Sequence, residues 1–168
     1  MPEKETVERA KEDLREGKSP STAAGEFVHE EIEHVREGKH GARSTKQAIA
    51  IGLSKARRAG IPLKPPAKGK TSEATRKSAE REYEKGQSGK HDEPSPRASR
   101  AREKMLEKEP RSAASHRALS AQTRSAAKRR SKEDRQAAAK KAVRTKGKSG
   151  LREAGKKAAR TRAAHAGR

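Results

Sequence analysis

Residues 39–60 read KHGARSTKQAIAIGLSKARRAG, and this stretch decides the fold class. Ser44 is a good N-cap, and Gln47 three residues on completes a capping box. Ile49, Leu53 and Ala56 fall at helical spacing, with Ala48, Gly52 and Ala59 beside them on the same face. Arg57 and Arg58 stand in the last turn, where cations suit the helix dipole. Gly60 is a natural C-cap, and Pro62 prevents continuation. The pattern predicts one helix of roughly fifteen residues with basic ends. Ile51 faces away from its core side, among Gln47, Lys55 and Arg58.

Two more helices precede it. Val7, Ala10 and Leu14 recur at i, i+3 and i+7 within residues 3–16, and Gly17 ends that run. Ser19 then caps a second helix with Pro20 at its first position, where proline is favoured. Ala24, Phe27, Val28, Ile32 and Val35 form one stripe, interrupted only by Glu31. The other face is acidic, with Glu26, Glu30, Glu31, Glu33 and Glu37, and Gly38 closes the helix. The expected fold class is therefore mainly α: a small three-helix head over 1–63, with no β-sheet.

Composition limits what lies beyond the head. The chain has 168 residues, of which 40% are charged and 28% apolar, with one Phe, one Tyr and no Trp. That apolar content does not offset the entropy of ordering every residue. Leaving out alanine and Met1, eleven apolar residues fall in 1–63 and six in the remainder. Charge is divided the same way. Residues 1–60 hold 12 Lys/Arg and 11 Asp/Glu, residues 61–110 hold 13 and 9, and residues 111–168 hold 19 and 3, giving +1, +4 and +16. A near-neutral head with a polycationic tail is the electrostatic footprint of a polyanion binder.

The absence of cysteine removes disulfide and thiolate chemistry. No apolar run approaches the ~18 residues of a membrane span. The opening MPEKETVERAKEDL lacks the apolar region of a signal peptide, so a cytoplasmic location is expected.

Residues 64–110 read as a linker with marginal helices. IPLKPPAKGKTS at 61–72 is rich in Pro and Lys, Thr71–Lys85 is mostly charge, and GQSGKHDEPSPRAS at 86–99 is made of turn formers. A short helix is expected at Arg100–Glu109, ahead of Pro110. Residues 111–168 are an Ala/Lys/Arg-rich basic tail of high helix propensity. Like charges repel there at i, i+4, and no apolar stripe is evident, so a largely disordered or marginally helical tail is expected. Lys140-Lys141-Ala142-Val143-Arg144-Thr145 repeats as Lys156-Lys157-Ala158-Ala159-Arg160-Thr161, sixteen residues later.

Candidate chemistry is sparse. Lys68-Gly69-Lys70-Thr71 has the ending of a phosphate-binding loop, but the required earlier glycine is Lys64 and no strand precedes it, so it reads as linker. His29, Glu30 and His34 are spaced HExxxH. Residues i and i+5 lie about 140° apart on a helix, so those two imidazoles cannot share a metal and read as surface histidines. His40, His91, His116 and His165 are scattered and form no site. No catalytic residue, metal site or cofactor is expected, and a head this small does not support a preorganised catalytic pocket. The chain reads as a non-enzyme.

Binding is better supported. Lys128, Arg129, Arg130, Lys140, Lys141, Arg144, Lys156, Lys157, Arg160 and Arg162 are the candidate phosphate contacts. Lys39, Arg43 and Lys46 surround the helix N-terminus at Thr45 and make a second anion site. The tail has no aromatic residue for stacking on single strands, which favours a duplex. The link from Gly38 to Arg43 is longer than the 3–4-residue turn of a helix-turn-helix, which disfavours sequence-specific reading.

The segment GEFVHEEIEHVREGKHGARSTKQAIAIGLSKARRAG, with KPPAKGKTSEATRKSAE and RSAASHRALSAQTRSAAKRR, resembles a family of small basic bacterial proteins defined by a domain of unknown function. Members are often labelled DNA-binding or plasmid-stabilisation proteins. That resemblance implies a bacterial protein with a role in DNA or plasmid maintenance, and carries no catalytic motif. The tail is also similar in composition to bacterial linker-histone-like tails. Together these give the expected function: non-enzymatic, largely sequence-independent binding of double-stranded DNA, nucleoid-associated, with a protein partner for the head. A hydrophilin-like stress-protective protein and an RNA- or ribosome-associated protein are the alternatives.

Overall fold

Glycines and capping hydroxyls set the helix boundaries. The structure, a computed structural model, describes residues 2–89 and 95–166, with His165 and Ala166 described by backbone alone. The expectations for His91 and for residues 90–94 of the turn-rich segment lie outside the described residues. Among the described residues, α1 (Lys4–Arg15), α2 (Pro20–Glu37), α3 (Thr45–Arg58), α4 (Glu73–Gln87) and α5 (Pro96–Glu107) are followed by a 3-10 turn (Arg111–Ala114), α6 (His116–Lys128) and α7 (Lys132–Ala166); no strand is present among them. The chain forms two units, residues 1–122 and 123–168.

In the first unit, Gly17, Gly38 and Gly60 follow α1, α2 and α3 with positive φ of 76°, 83° and 85°, the left-handed conformation that ends helices. Ser44 caps α3 by accepting from the Gln47 N–H at 3.3 Å, and the Gln47 side chain accepts from the Arg43 N–H at 2.9 Å. Ser72, Ser95, Ser115 and Ser131 accept from the amides of Thr75, Ala98, Ala118 and Asp134 in the same way.

The core has two parts. Ala10, Ala23, Ala24, Phe27, Ala56 and Ile61 form one cluster, with Val7, Leu14, Leu53 and Leu63 packed around it. Phe27 is fully buried, worth about 2–3 kcal/mol. Ile32, Val35, Ala42, Ala48, Ala113 and Ala114 form the second, joined by Val28 and Leu119. So the 3-10 turn, expected in the tail, is part of the head's core. It is held by a 2.6 Å bond from the buried Thr45 hydroxyl to the Ala113 carbonyl, and by the Arg36 guanidinium donating to the Ala114 carbonyl at 3.1 Å.

On α3 the buried line is Thr45, Ala48, Gly52 and Ala56, and Ile49, Ile51 and Leu53 are half-buried flanks. The small residues lie innermost because α2 crosses at backbone distance. A Cβ on Gly52 would sit 2.7 Å from the Val28 Cα and 2.8 Å from the Phe27 carbonyl oxygen. α4 also packs on α3, through buried Ala79 and through Gly86, whose missing Cβ makes room for the Arg57 carbonyl. Arg57 itself is buried, donating from Nε to the Leu63 carbonyl at 3.2 Å. Burial pushes its guanidinium below the ordinary value, and the Glu82 carboxylate opposes that.

The expected disordered or marginally helical tail is corrected: helices continue through α6 and α7 to residue 166. Serine caps, alanine content and the acids Glu133 and Asp134 in the first turn of α7 outweigh like-charge repulsion. The one interruption is Gly147, at φ 65° and ψ 177°, a conformation essentially restricted to glycine.

Candidate functional site

Two groups of charged side chains stand out, one in each unit. In the second unit, the candidate phosphate contacts of the tail are all exposed. Among them only Lys156 is drawn to a carboxylate, that of Glu153 at 3.0 Å. Lys128 closes α6, Arg129 and Arg130 follow it, and Lys140, Lys141, Arg144, Lys156, Lys157, Arg160 and Arg162 lie on α7.

The helix adds two cations that the sixteen-residue repeat does not reveal. Beyond the Gly147 break, Lys148, Arg152, Lys156 and Arg160 recur every four residues. Each step turns about 40° and rises about 6 Å, so the row winds through about 120° of the helix surface over about 18 Å. Leu151, Ala154 and Ala158, half-buried, lie on the opposite side. Lys148 and Arg152 were legible only as members of an i, i+4 row, which a repeat search does not detect.

In the head, the second anion site is only partly assembled. Arg43 and Lys46 are exposed, but the Lys39 ammonium lies 3.2 Å from a Glu37 oxygen and 3.3 Å from a Glu3 oxygen. Those carboxylates, Glu37 first, hold Lys39 above its ordinary pKa.

The other group sits where α2 meets the α2–α3 loop, and it overturns two expectations. Glu30 and Glu31 are not on a solvated face but are buried, at 5% and 0% exposure. His34 and His40 are not surface residues, their side chains being 12% and 15% exposed. The cause is the approach of α3 and the N-terminal segment over this side of α2. Lys55 on α3 puts its ammonium 3.0 Å from Glu30 Oε1 and 2.8 Å from Glu31 Oε2. Burial pushes the Glu30 carboxyl up. The Glu3 N–H, at 3.1 Å, and then Lys55 help to outweigh it, so the net position is below the ordinary value.

His34 Nε2 lies 3.0 Å from Glu3 Oε1, and that contact, followed by Lys39, lowers the Glu3 pKa. His40 Nε2 faces Glu31 Oε1 at 3.3 Å, while its Nδ1 lies 3.0 Å from the Gly41 carbonyl oxygen. The two imidazoles meet edge to face, with centroids 6.1 Å apart. Neither Glu31 oxygen receives a hydrogen bond of good geometry, although Lys55 pairs with one of them by charge.

Other features are chemically quiet. An open cleft lined by Glu37, Gly38, His40, Glu107, Pro110 and Arg111 has mixed charge and a mainly polar wall. No helix is long and apolar enough to cross a membrane among the described residues. No protein-family model matches the chain, and neither does any curated protein or solved structure.

Proposed function

We propose that the chain is a non-enzymatic DNA-binding protein that holds duplex DNA through its phosphates, largely without reading sequence, and serves in nucleoid association or plasmid maintenance in a bacterial cytoplasm. The observation that carries this reading is the run of exposed cations on α7, of which only Lys156 is drawn to a carboxylate, in a segment with 19 Lys/Arg and 3 Asp/Glu. A helix of this kind presents charge to a backbone of phosphates and offers no aromatic platform or acceptor pattern for bases. The role of the head is to recruit a protein partner.

The test is a salt titration of duplex binding with the full chain. Replacing Lys148, Arg152, Lys156 and Arg160 together by Gln removes four phosphate contacts. With a log–log slope of about −0.9 per contact, the slope becomes shallower by about 3.6, and affinity at 0.1 M salt falls on the order of a thousandfold. An unchanged slope and affinity would refute α7 as the binding element. A competition arm with structured RNA separates duplex preference from general polyanion binding.

A further inference from the structure

The tail reading leaves the buried cluster in the head unexplained. It combines three unlike donors. One ring nitrogen each of His34 and His40 and one oxygen of Glu31 lie within 4.8 Å of one another. Around a tetrahedral zinc ion, ligand atoms stand about 3.3–3.5 Å apart, so small side-chain rotations close the set.

The Glu31 carboxylate is fully buried and neither of its oxygens receives a hydrogen bond, while His40 Nε2 lies 3.3 Å from Glu31 Oε1 and His40 Nδ1 lies 3.0 Å from the Gly41 carbonyl oxygen. A buried acceptor without a donor is costly, and a cation held between that oxygen and the imidazole nitrogens supplies the missing partner.

The charge around the group suits a cation. Four carboxylates, Glu3, Glu30, Glu31 and Glu37, surround two ammonium groups, Lys39 and Lys55. The supporting shell is in place as well. A ligating histidine usually donates its other N–H to a carbonyl or carboxylate. Here His40 has Gly41 and His34 has Glu3, and a His34 that keeps its Nε2–H on Glu3 has Nδ1 left to ligate. Nitrogen donors disfavour calcium and magnesium, which take oxygen ligands, and two imidazoles with one carboxylate suit zinc.

We propose that Glu31, His34 and His40 bind one Zn²⁺ ion, which fastens the end of α2 to the α2–α3 loop. Lys55 holds the second Glu31 oxygen, and the fourth position is left to water. The ion is structural: it joins α2 to the turn that positions Ser44 and hence α3.

The experiment uses the full chain without an affinity tag, stripped with a chelator. Zn²⁺ titration by calorimetry should show one site per chain, zinc should raise the melting temperature, and Co²⁺ should give the visible absorption of a tetrahedral N/O site. His34→Gln and His40→Gln should each weaken zinc binding on the order of a hundredfold or more with far-UV circular dichroism retained, because each removes one of three ligands. His29→Gln, on the same helix outside the cluster, should bind as the parent does. His40→Cys, which replaces one zinc ligand by another, should recover binding. If no saturable one-to-one site appears, or if it persists in both glutamine variants, the assignment is wrong. The duplex-binding slope reads the tail separately, so failure of one proposal leaves the other standing.

Discussion

Gly52→Ala, set against Gly25→Ala, tests the packing at the centre of the head. Both glycines are helical, and alanine at an unobstructed helical position gains about 0.8–1 kcal/mol over glycine. Gly25 on α2 is exposed and nothing lies within 4 Å of a Cβ built there, so Gly25→Ala should stabilise by about that amount. At Gly52 the same methyl meets the Val28 Cα at 2.7 Å, the Phe27 oxygen at 2.8 Å and the Val28 nitrogen at 2.9 Å. All three are backbone atoms, which no rotamer change can move. Ordinary contact begins near 3.4 Å, so α2 and α3 must part by most of an ångström along the seam that carries Phe27 and Ala56. Overpacking of this kind costs about 1–3 kcal/mol, and a backbone clash belongs at the upper end. After the propensity gain, Gly52→Ala should destabilise by about 2 kcal/mol.

The two variants should therefore differ by about 3 kcal/mol, or roughly 12 °C in melting temperature for a unit of this size. Thermal melts of the full chain by circular dichroism, in one buffer and at one zinc concentration, read the difference. A Gly52→Ala protein as stable as the parent, or one that moves in the same direction as Gly25→Ala, would refute the close α2–α3 crossing.

Three other perturbations follow from the same contacts. Thr45→Val leaves the Ala113 carbonyl without its 2.6 Å donor in a buried place and should cost about 1–2 kcal/mol in chemical denaturation. Truncation after Gln122 should leave the head's melting temperature within a few degrees of the parent's, whereas truncation after Pro110 removes Ala113 and Ala114 from the second core cluster and should lower it by roughly 10 °C or more. Gly147→Ala cannot adopt the φ of 65° and ψ of 177° found there, so α7 should run unbroken. Far-UV circular dichroism should then report added helix, and the Lys140–Arg144 pair should join the Lys148–Arg160 row.

Helices of the head were legible because their signals are local. Ser19–Pro20, Ser44–Gln47 and the glycines at 17, 38 and 60 act on their own neighbours, and α1 to α3 begin and end within a residue or two of the expected positions. Packing was less legible. Reading α3 by its large apolar residues centres the face on Ile49, Leu53 and Ala56. The observed line runs through Thr45, Ala48, Gly52 and Ala56, because the closeness of α2 rewards absence of volume. For the same reason α4 was underestimated: Ala79 and Gly86 make too little apolar pattern to register, yet they allow contact with α3. The turn at 111–114 lies within a strongly basic sequence, and nothing local marks Ala113 and Ala114 as core. The Glu31–His34–His40 group was hidden by treating histidines in pairs along one helix. His29 and His34 do diverge on α2, but His40 returns from the loop beyond Gly38, a tertiary juxtaposition with no spacing rule.

The placement of acids links the two units into one physical account. In the head, carboxylates are spent internally: Glu30 and Glu31 on Lys55, Glu33 on Arg36, Glu37 on Lys39, Glu26 on Arg9. Every carboxylate of α2 is thereby paired with a cation of the head. In residues 111–168 three acids remain. Glu133 and Asp134 stand in the first turn of α7, where negative charge favours helix formation, and Glu153 meets only Lys156. Acids that start the helix do not neutralise its far side. The cations of α7 therefore keep their charge and gain a regular spacing. Those are the two properties that phosphate binding draws on, since counterion release scales with the number of contacts and helical order fixes how many can be made at once.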